Sequence, residues 1–236
     1  MDERNRMNEA ALLTPFTDPR LTEDLLWRDV RVQPFASPAP ALFLDRDGVI
    51  IEEREYISDP EEVELMPGVP ELIRAARALG FAVVEITNQA GIARGYFGWH
   101  EFLQVENRVE QILSGRQVSL DAVFACPFHP QGQPPYRVAN HPWRKPNPGM
   151  LLEAAQRLNL NLRQSVLVGD KVADQEAARA AGLAYGIHVL TGHGQAHQEA
   201  ARAMDSEEFP VHIVSGAFDA VPLLQFQPQR NNQANV

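Results

Sequence analysis

Short runs dominated by apolar residues recur along the chain at 41–44, 81–86 and 165–168, each closing in a polar or glycine-rich turn. Runs of this length predict strands buried on both faces. Between them, apolar positions fall at helical spacing over 69–79, just after Pro67 and Gly68, and over 99–113, 148–158 and 172–181, the last closed by Gly182. Two further strands are expected at 184–189 and 211–214. Strand and helix therefore alternate. Alternation of this kind predicts right-handed crossovers and a doubly wound, mostly parallel α/β sheet of Rossmann-like form. Ligands of such sheets gather beyond the carboxyl ends of the strands. Asp45, Thr87 and Asp170 each fall directly after a predicted strand or one residue beyond it. Residues 1–40 are polar and proline-punctuated, with one short amphipathic stretch at 21–27, and read as an N-terminal arm. The α/β domain is expected over 41–226, and 227–236 is a polar stretch expected to form a flexible tail.

Composition narrows the partners. The chain has 236 residues, 44% of them hydrophobic, enough for one sizeable core. A formal charge of −10 argues against a nucleic-acid partner, because phosphate backbones are gripped by clustered Lys and Arg. A small phosphorylated ligand remains compatible, since a few local cations override the global sign. Cys126 is the single cysteine, so no internal disulfide forms. The first ten residues lack the apolar core of a secretory signal, and no apolar run is long enough for a bilayer, so a cytoplasmic location without a membrane partner is expected. Oligomeric state is not encoded in any of these features.

The segment FLDRDGVI sets Asp45 and Asp47 one residue apart at a strand end, where a turn at Gly48 lets both carboxylates address one space. Far downstream, VGDKVAD offers Asp170 at another strand end. Magnesium takes hard oxygen ligands and keeps several waters, so a few carboxylates plus a substrate phosphate suit it. A phosphoryl group in transfer is stabilised by positive charge and positioning, and Arg144, Lys145 and Lys171 are the cations nearby in these motifs.

In this light the chain resembles the haloacid dehalogenase (HAD) superfamily, whose motifs match FLDRDG (43–48), ITNQ (86–89), RKP (144–146) and VGDKVAD (168–174) in order. The resemblance spans about 41–189. It implies that Asp45 is the nucleophile, that Asp47 protonates the leaving group and then activates water, and that Lys145 neutralises both the phosphate and Asp45. It also implies a magnesium site on Asp45, Asp47 and Asp170, with Asp174 supporting it from behind. Within the superfamily, TNQAGIARGYF (87–97), CPFHPQG (126–132) and RKPNPGML (144–151) resemble the heptose bisphosphate phosphatases, with histidinol-phosphatases as the neighbouring alternative. Substrate contacts carry over to Glu53, Arg54 and Tyr56, to Thr87, Asn88, Gln89 and Ala90, and to Arg144 and Lys171. The implied partner is a small phosphorylated sugar. Few residues separate Asp47 from Thr87, so no large cap domain fits, and loops must do the selecting.

One departure stands out. These phosphatases usually hold a structural zinc with a Cys-x-His pair and a later Cys-x-Cys pair, and only Cys126 of that set is kept. Phe128, His141 and Trp143 occupy the other ligand positions, so zinc is not expected. Hydrophobic packing by Phe128 and Trp143 is the expected replacement, and a reduced site from Cys126, His129 and His141 is the alternative. Taken singly, each motif has an ordinary reading: Asp47-Gly48 as a turn, Asp170 as a helix cap, Lys145 or Lys171 as solvated charge. Their joint occurrence in order is what favours chemistry. For Glu53, Arg54 and Tyr56 the ordinary reading, an exposed charged loop, stands level with the functional one.

Overall fold

The computed structural model describes residues 16–226. Seven strands form one sheet: β1 (Trp27–Val30), β2 (Ala41–Leu44), β3 (Ala82–Asn88), β4 (Ala122–Cys126), β5 (Val166–Gly169), β6 (Tyr185–Val189) and β7 (Val211–Val214). Their spatial order is β1-β4-β3-β2-β5-β6-β7, parallel throughout except that β1 runs against β4. Strands β2, β4, β5 and β6 are buried along their whole length. Parallel strands covered on both faces read as continuous apolar runs, which is the pattern seen in the sequence.

The pleat still divides the core. Leu42 and Leu44 face one cluster, with Leu72 and Ile73 of α1 (Val69–Ala78) and Phe102, Val105 and Val109 of α3 (Trp99–Gly115). Ala41 and Phe43 face the opposite cluster, with Met150 and Leu151 of α4 (Gly149–Leu158) and Ala177 and Ala178 of α5 (Val172–Ala181). Alternate Cβ atoms of a strand point to opposite faces, so two helical layers can be packed by one four-residue strand. Three shorter helices complete the set: α2 (Ala90–Arg94), α6 (Gly194–Arg202) and α7 (Ala217–Ala220). Among the described residues no helix is long and apolar enough to cross a membrane.

Beside β2 the chain direction splits, with β3 and β4 on one side and β5 and β6 on the other. This is the switch point of a doubly wound sheet, where a crevice opens beyond the strand ends. Asp45 follows β2 and Asp170 follows β5, so the two acids flank that crevice.

The stretch read as an arm supplies a strand that covers one edge of the sheet. Residues 27–30 are edge strand β1, registered Trp27 against Ala125, and Leu21 bridges to Trp27 in place of a separate amphipathic element. The reason is tertiary: Trp27 is fully buried, stacked 5.8 Å from Trp99 and edge-on to Phe102 at 5.3 Å. β1 thus pairs the free edge of β4, which would otherwise be a template for unwanted strand addition. Residues 1–15 and the tail 227–236 lie outside the described residues. Thr87 is also shifted, falling inside β3 and not after it.

Candidate active site

Asp45 leaves β2 with its backbone N–H bonded to Val168 O at 3.0 Å, which fixes the first acid to the neighbouring strand β5. Its Oδ1 accepts from Arg46 N at 2.8 Å and from Lys145 Nζ at 2.8 Å. Lys145 is buried and also reaches Asp174 Oδ1 at 2.7 Å and Ile86 O at 3.0 Å. Burial alone would depress its ammonium, but Asp174 and Asp45 outweigh that and raise it, so it stays charged. Burial pushes the Asp45 carboxyl up, and Lys145 with Lys171 more than reverses this, leaving it below the usual range. A buried carboxylate held ionised beside a locked ammonium has the charge state that nucleophilic attack requires.

Asparagine 88 sets the position of Lys145. Its Nδ2 donates to Lys145 O at 3.0 Å and its Oδ1 accepts from Lys145 N at 3.1 Å. Gln89 Nε2 donates both to Thr87 Oγ1 at 2.8 Å and to Asp47 Oδ2 at 2.9 Å. The end of β3 therefore ties together the RKP turn, the Thr87 hydroxyl and the second acid of the DRD motif.

One oxygen from each of Asp45, Asp170 and Asp174 falls within 4.8 Å of the others, the only such group of acids, histidines or cysteines among the described residues. Asp170 Oδ2 accepts from His193 N at 2.8 Å, while its Oδ1 is buried with no hydrogen bond and Lys171 Nζ 3.5 Å away. Burial and then the Asp45 charge push the Asp170 carboxyl up to about 7. An orphaned oxygen beside a second carboxylate is what a divalent cation would satisfy. Both Asp174 oxygens are already taken, by Lys145 Nζ and by Lys171 N at 2.9 Å, which leaves Asp45 and Asp170 as the open donors. The third expected ligand, Asp47, turns its side chain to Arg46 in this structure. That carboxylate is held by Arg46, with Nε to Oδ1 at 3.1 Å and Nη2 to both oxygens at 3.0 and 3.1 Å. The backbone is tight here: Gly48 has φ +86°, and a Cβ on it would lie 2.6 Å from Asp170 Oδ2.

A cavity of about 310 Å³ lies beside this group, lined by Arg46, Asp47 and Lys171, the chain neighbours of Asp45 and Asp170, and by Glu53, Tyr56, Gln89 and Arg144 among others. A larger groove of about 1160 Å³ beside Leu160, Arg163, Arg179 and Phe209 contains none of the acids or lysines described above and belongs elsewhere on the molecule.

Comparison with known proteins places this arrangement. Residues 142–216 match the family described as "HAD-hyrolase-like". Over 167 residues the chain is 48% identical to the D-glycero-beta-D-manno-heptose-1,7-bisphosphate 7-phosphatase of Mesorhizobium japonicum, covering 70% of this chain and 77% of that one. The chain belongs to the HAD-like phosphatases. Among solved structures, a protein from Mesorhizobium loti described as a HAD-like phosphatase superposes with TM-score 0.77 at 39% identity, over 92% of this chain and 99% of that one. The D,D-heptose 1,7-bisphosphate phosphatase of B. bronchiseptica, complexed with magnesium and phosphate, superposes with TM-score 0.67 at 28% identity, over 78% of this chain and 97% of that one.

For a HAD-like phosphatase the remaining expected residues divide. Glu53 reaches Lys171 Nζ and His193 Nε2, both at 3.3 Å, and so closes one side of the pocket. Arg54 also lines it, but its guanidinium is spent on Glu52 and Glu64 at 2.7 Å each. Tyr56 accepts from Arg94 Nη1, and Arg144 donates to Phe128 O at 3.1 Å. Ala90 opens α2 at the pocket wall.

Arg94, His129 and His193 were not singled out as substrate contacts, although the first two stand inside stretches that carry the family likeness. The proposed trio of Cys126, His129 and His141 is not brought together. Cys126 Sγ lies 3.9 Å from His141 Nδ1, but His129 turns to the pocket, with Nε2 3.3 Å from Arg94 Nη2. Phe128 stacks on His141 at 4.1 Å, and Trp143 meets Phe124 edge-on at 5.8 Å. Burial pushes the Cys126 thiol up to about 12.

Proposed function

We propose that this chain removes the 7-phosphate from a D-glycero-D-manno-heptose 1,7-bisphosphate, with magnesium, through an aspartyl-phosphate on Asp45. One observation carries the substrate class. Arg94, His129 and Arg144 crowd one end of the pocket, and none of them has a salt-bridge partner among the described residues. Their mutual repulsion contributes, after burial, to lowering both the His129 and the Arg144 ionisations. Two guanidinium groups gathered without acids suit an anion, and the Asp45 end supplies the place for a second one. A small bisphosphate fits both ends. The name of the Mesorhizobium japonicum relative supports the heptose reading.

In the first half-reaction an oxygen of Asp45 attacks phosphorus while the bond from phosphorus to the sugar oxygen breaks, and Asp47 gives that oxygen its proton. In the second, Asp47 takes a proton from water as the water oxygen attacks phosphorus, releasing phosphate and restoring Asp45. Lys145 offsets charge on Asp45 and on the transferring group, and Lys171 does so from the other side. The hydroxyl of Thr87 and the backbone of Asn88 hold phosphoryl oxygens. Asp45 and Asp170 would hold magnesium, which would supply further positive charge. Glu53, Arg54, Tyr56, Gln89 and Ala90 contact the sugar, and Arg144 its second phosphate.

The test is phosphate release with magnesium from both heptose 1,7-bisphosphate anomers, fructose 1,6-bisphosphate, histidinol phosphate and a 3′-phosphorylated oligonucleotide, with Asp45→Asn as the blank. A heptose preference of several powers of ten in kcat/KM is expected. A profile that peaks elsewhere yet still needs Asp45 removes the heptose and keeps the mechanism. Turnover unchanged in Asp45→Asn removes the nucleophile assignment itself.

A further inference from the structure

Between the two acids of the DRD motif stands Arg46, 1% exposed although it is the most polar of side chains. Its guanidinium makes two engagements. One edge, Nε and Nη2, clasps the Asp47 carboxylate, and Nη1 points the other way to Glu106 Oε1 at 2.8 Å. Glu106 comes from the middle of α3, is 4% exposed, and is sixty residues away in sequence. Phe102, one turn earlier on α3, lies under the guanidinium at 5.6 Å. The Arg46–Glu106 pair lies in the interior, where an ion pair offers weak net stabilisation and its retention invites another explanation.

We propose that Glu106 is a positioning residue for Asp47, acting through the Arg46 guanidinium, so that a buried glutamate on α3 sets the direction of the carboxyl group that carries the proton, held here in its ionised form. A planar guanidinium with five fixed donors transmits orientation: anchored at Nη1 by Glu106, its opposite edge has one place to present, and Asp47 is chelated there by both oxygens. Gln89 Nε2, at 2.9 Å from Asp47 Oδ2, completes the hold from β3. Without Glu106 the guanidinium keeps its charge but loses its fixed point inside the core. Proton transfer is sensitive to misplacement by a fraction of an ångström, so the chemical step should register the change.

This inference rests on the reading of Asp47 as the group that protonates the leaving oxygen, and a leaving-group comparison separates the two. A sugar phosphate leaves as a strongly basic alkoxide and needs the proton; p-nitrophenolate leaves readily without one. Since kcat/KM reports only steps through the first phosphoryl transfer, the ratio of kcat/KM for the best sugar phosphate to that for p-nitrophenyl phosphate isolates proton donation. Asp47→Asn should lower this ratio by about 10²-fold or more. Glu106→Ala should lower it in the same direction by about tenfold or more, and Glu106→Gln, which retains an oxygen for Arg46 Nη1, should recover most of the loss. Arg46→Lys, which keeps the charge without the fork, serves if Glu106→Ala does not fold, and should reproduce its effect. A purely structural role would lower both substrates together. A ratio unchanged in Glu106→Ala and Arg46→Lys, while Asp47→Asn changes it, overturns the positioning role and leaves Asp47 in place. A ratio unchanged in Asp47→Asn overturns both, because an acid that donates nothing has nothing to position.

Discussion

Replacing Glu85 with glutamine should make the protein less sensitive to rising pH, and the size of the effect follows from where that carboxyl sits. Glu85 lies in the middle of β3, fully buried, and neither of its oxygens has a hydrogen-bond partner among the described residues. Burial, followed by the negative charge of Glu106, pushes its carboxyl well above the ordinary glutamate range, with Arg46 opposing. Glu106 is raised by burial as well, but it has Arg46 Nη1 at 2.8 Å, so Glu85 is the member of the pair that carries the proton. A folded state that binds a proton its unfolded chain releases is most stable below the unfolded pKa of about 4.3, and loses stability as pH rises toward the folded value. One full proton corresponds to about 1.4 kcal/mol per pH unit. Glutamine carries no such proton. The difference in unfolding free energy, variant minus wild type, should therefore climb by about 1.4 kcal/mol per unit through the mildly acidic range, for as long as Glu85 stays protonated. For a chain of this size that is about 3–5 °C in melting temperature per pH unit. The intercept depends on how the unpartnered amide settles, whereas the slope depends on the proton alone. Urea titrations of both proteins without magnesium, at half-unit steps from pH 4.5 to 7.5, measure it, since the other acids cancel in the difference. A difference that stays level across that range would refute the account of Glu85 as a buried neutral acid.

Two further changes probe the site and the sheet edge. Lys145→Met leaves Asp45 and Asp174 buried without the ammonium that lies 2.8 and 2.7 Å from them, so it should cost about 3–5 kcal/mol and abolish turnover; denaturant midpoints and phosphate release check the two halves. Trp27→Ala removes a fully buried ring from the Trp99 and Phe102 contacts of β1 and should cost about 3–5 kcal/mol with kcat/KM of the folded fraction unchanged; an unaltered unfolding midpoint would show that β1 contributes nothing to the domain.

How far the sequence spoke for this molecule depended on whether the determining contacts were local. The strands that read as apolar runs are the parallel ones flanking the switch point, because burial on both faces writes itself directly into composition. Asp45 and Asp170 were legible for the same reason: each follows such a run, and the crevice forms where the runs end. β1 left no comparable trace. Its WRDV is half charged, and what makes it a strand is Trp27 meeting Trp99 and Phe102, residues about seventy positions away. β4 was missed although AVFAC is wholly apolar and longer than β2 or β5, since it runs straight into a proline-rich loop.

The orientation of Asp47 shows the limit most sharply. Spacing alone allowed its carboxylate to join a magnesium site with Asp45 and Asp170, because two acids one residue apart can face the same space once the chain turns. Arg46 decides otherwise, and Arg46 is itself directed by Glu106 on a helix sixty residues downstream. The three letters DRD thus carry one carboxylate open to a cation, Asp45, and one clasped by the arginine between them, Asp47, and what packs behind that arginine sets them apart. The same holds for the loop from 127 to 148. There Phe128 stacks on His141, two positions where the resemblance implied zinc ligands, while His129, one residue along, turns to the pocket and stands beside Arg94. The aromatic stack in one layer leaves Arg94 and Arg144 in place at the pocket, so the two features vary independently. Substrate choice can then survive a change in how its loop is held.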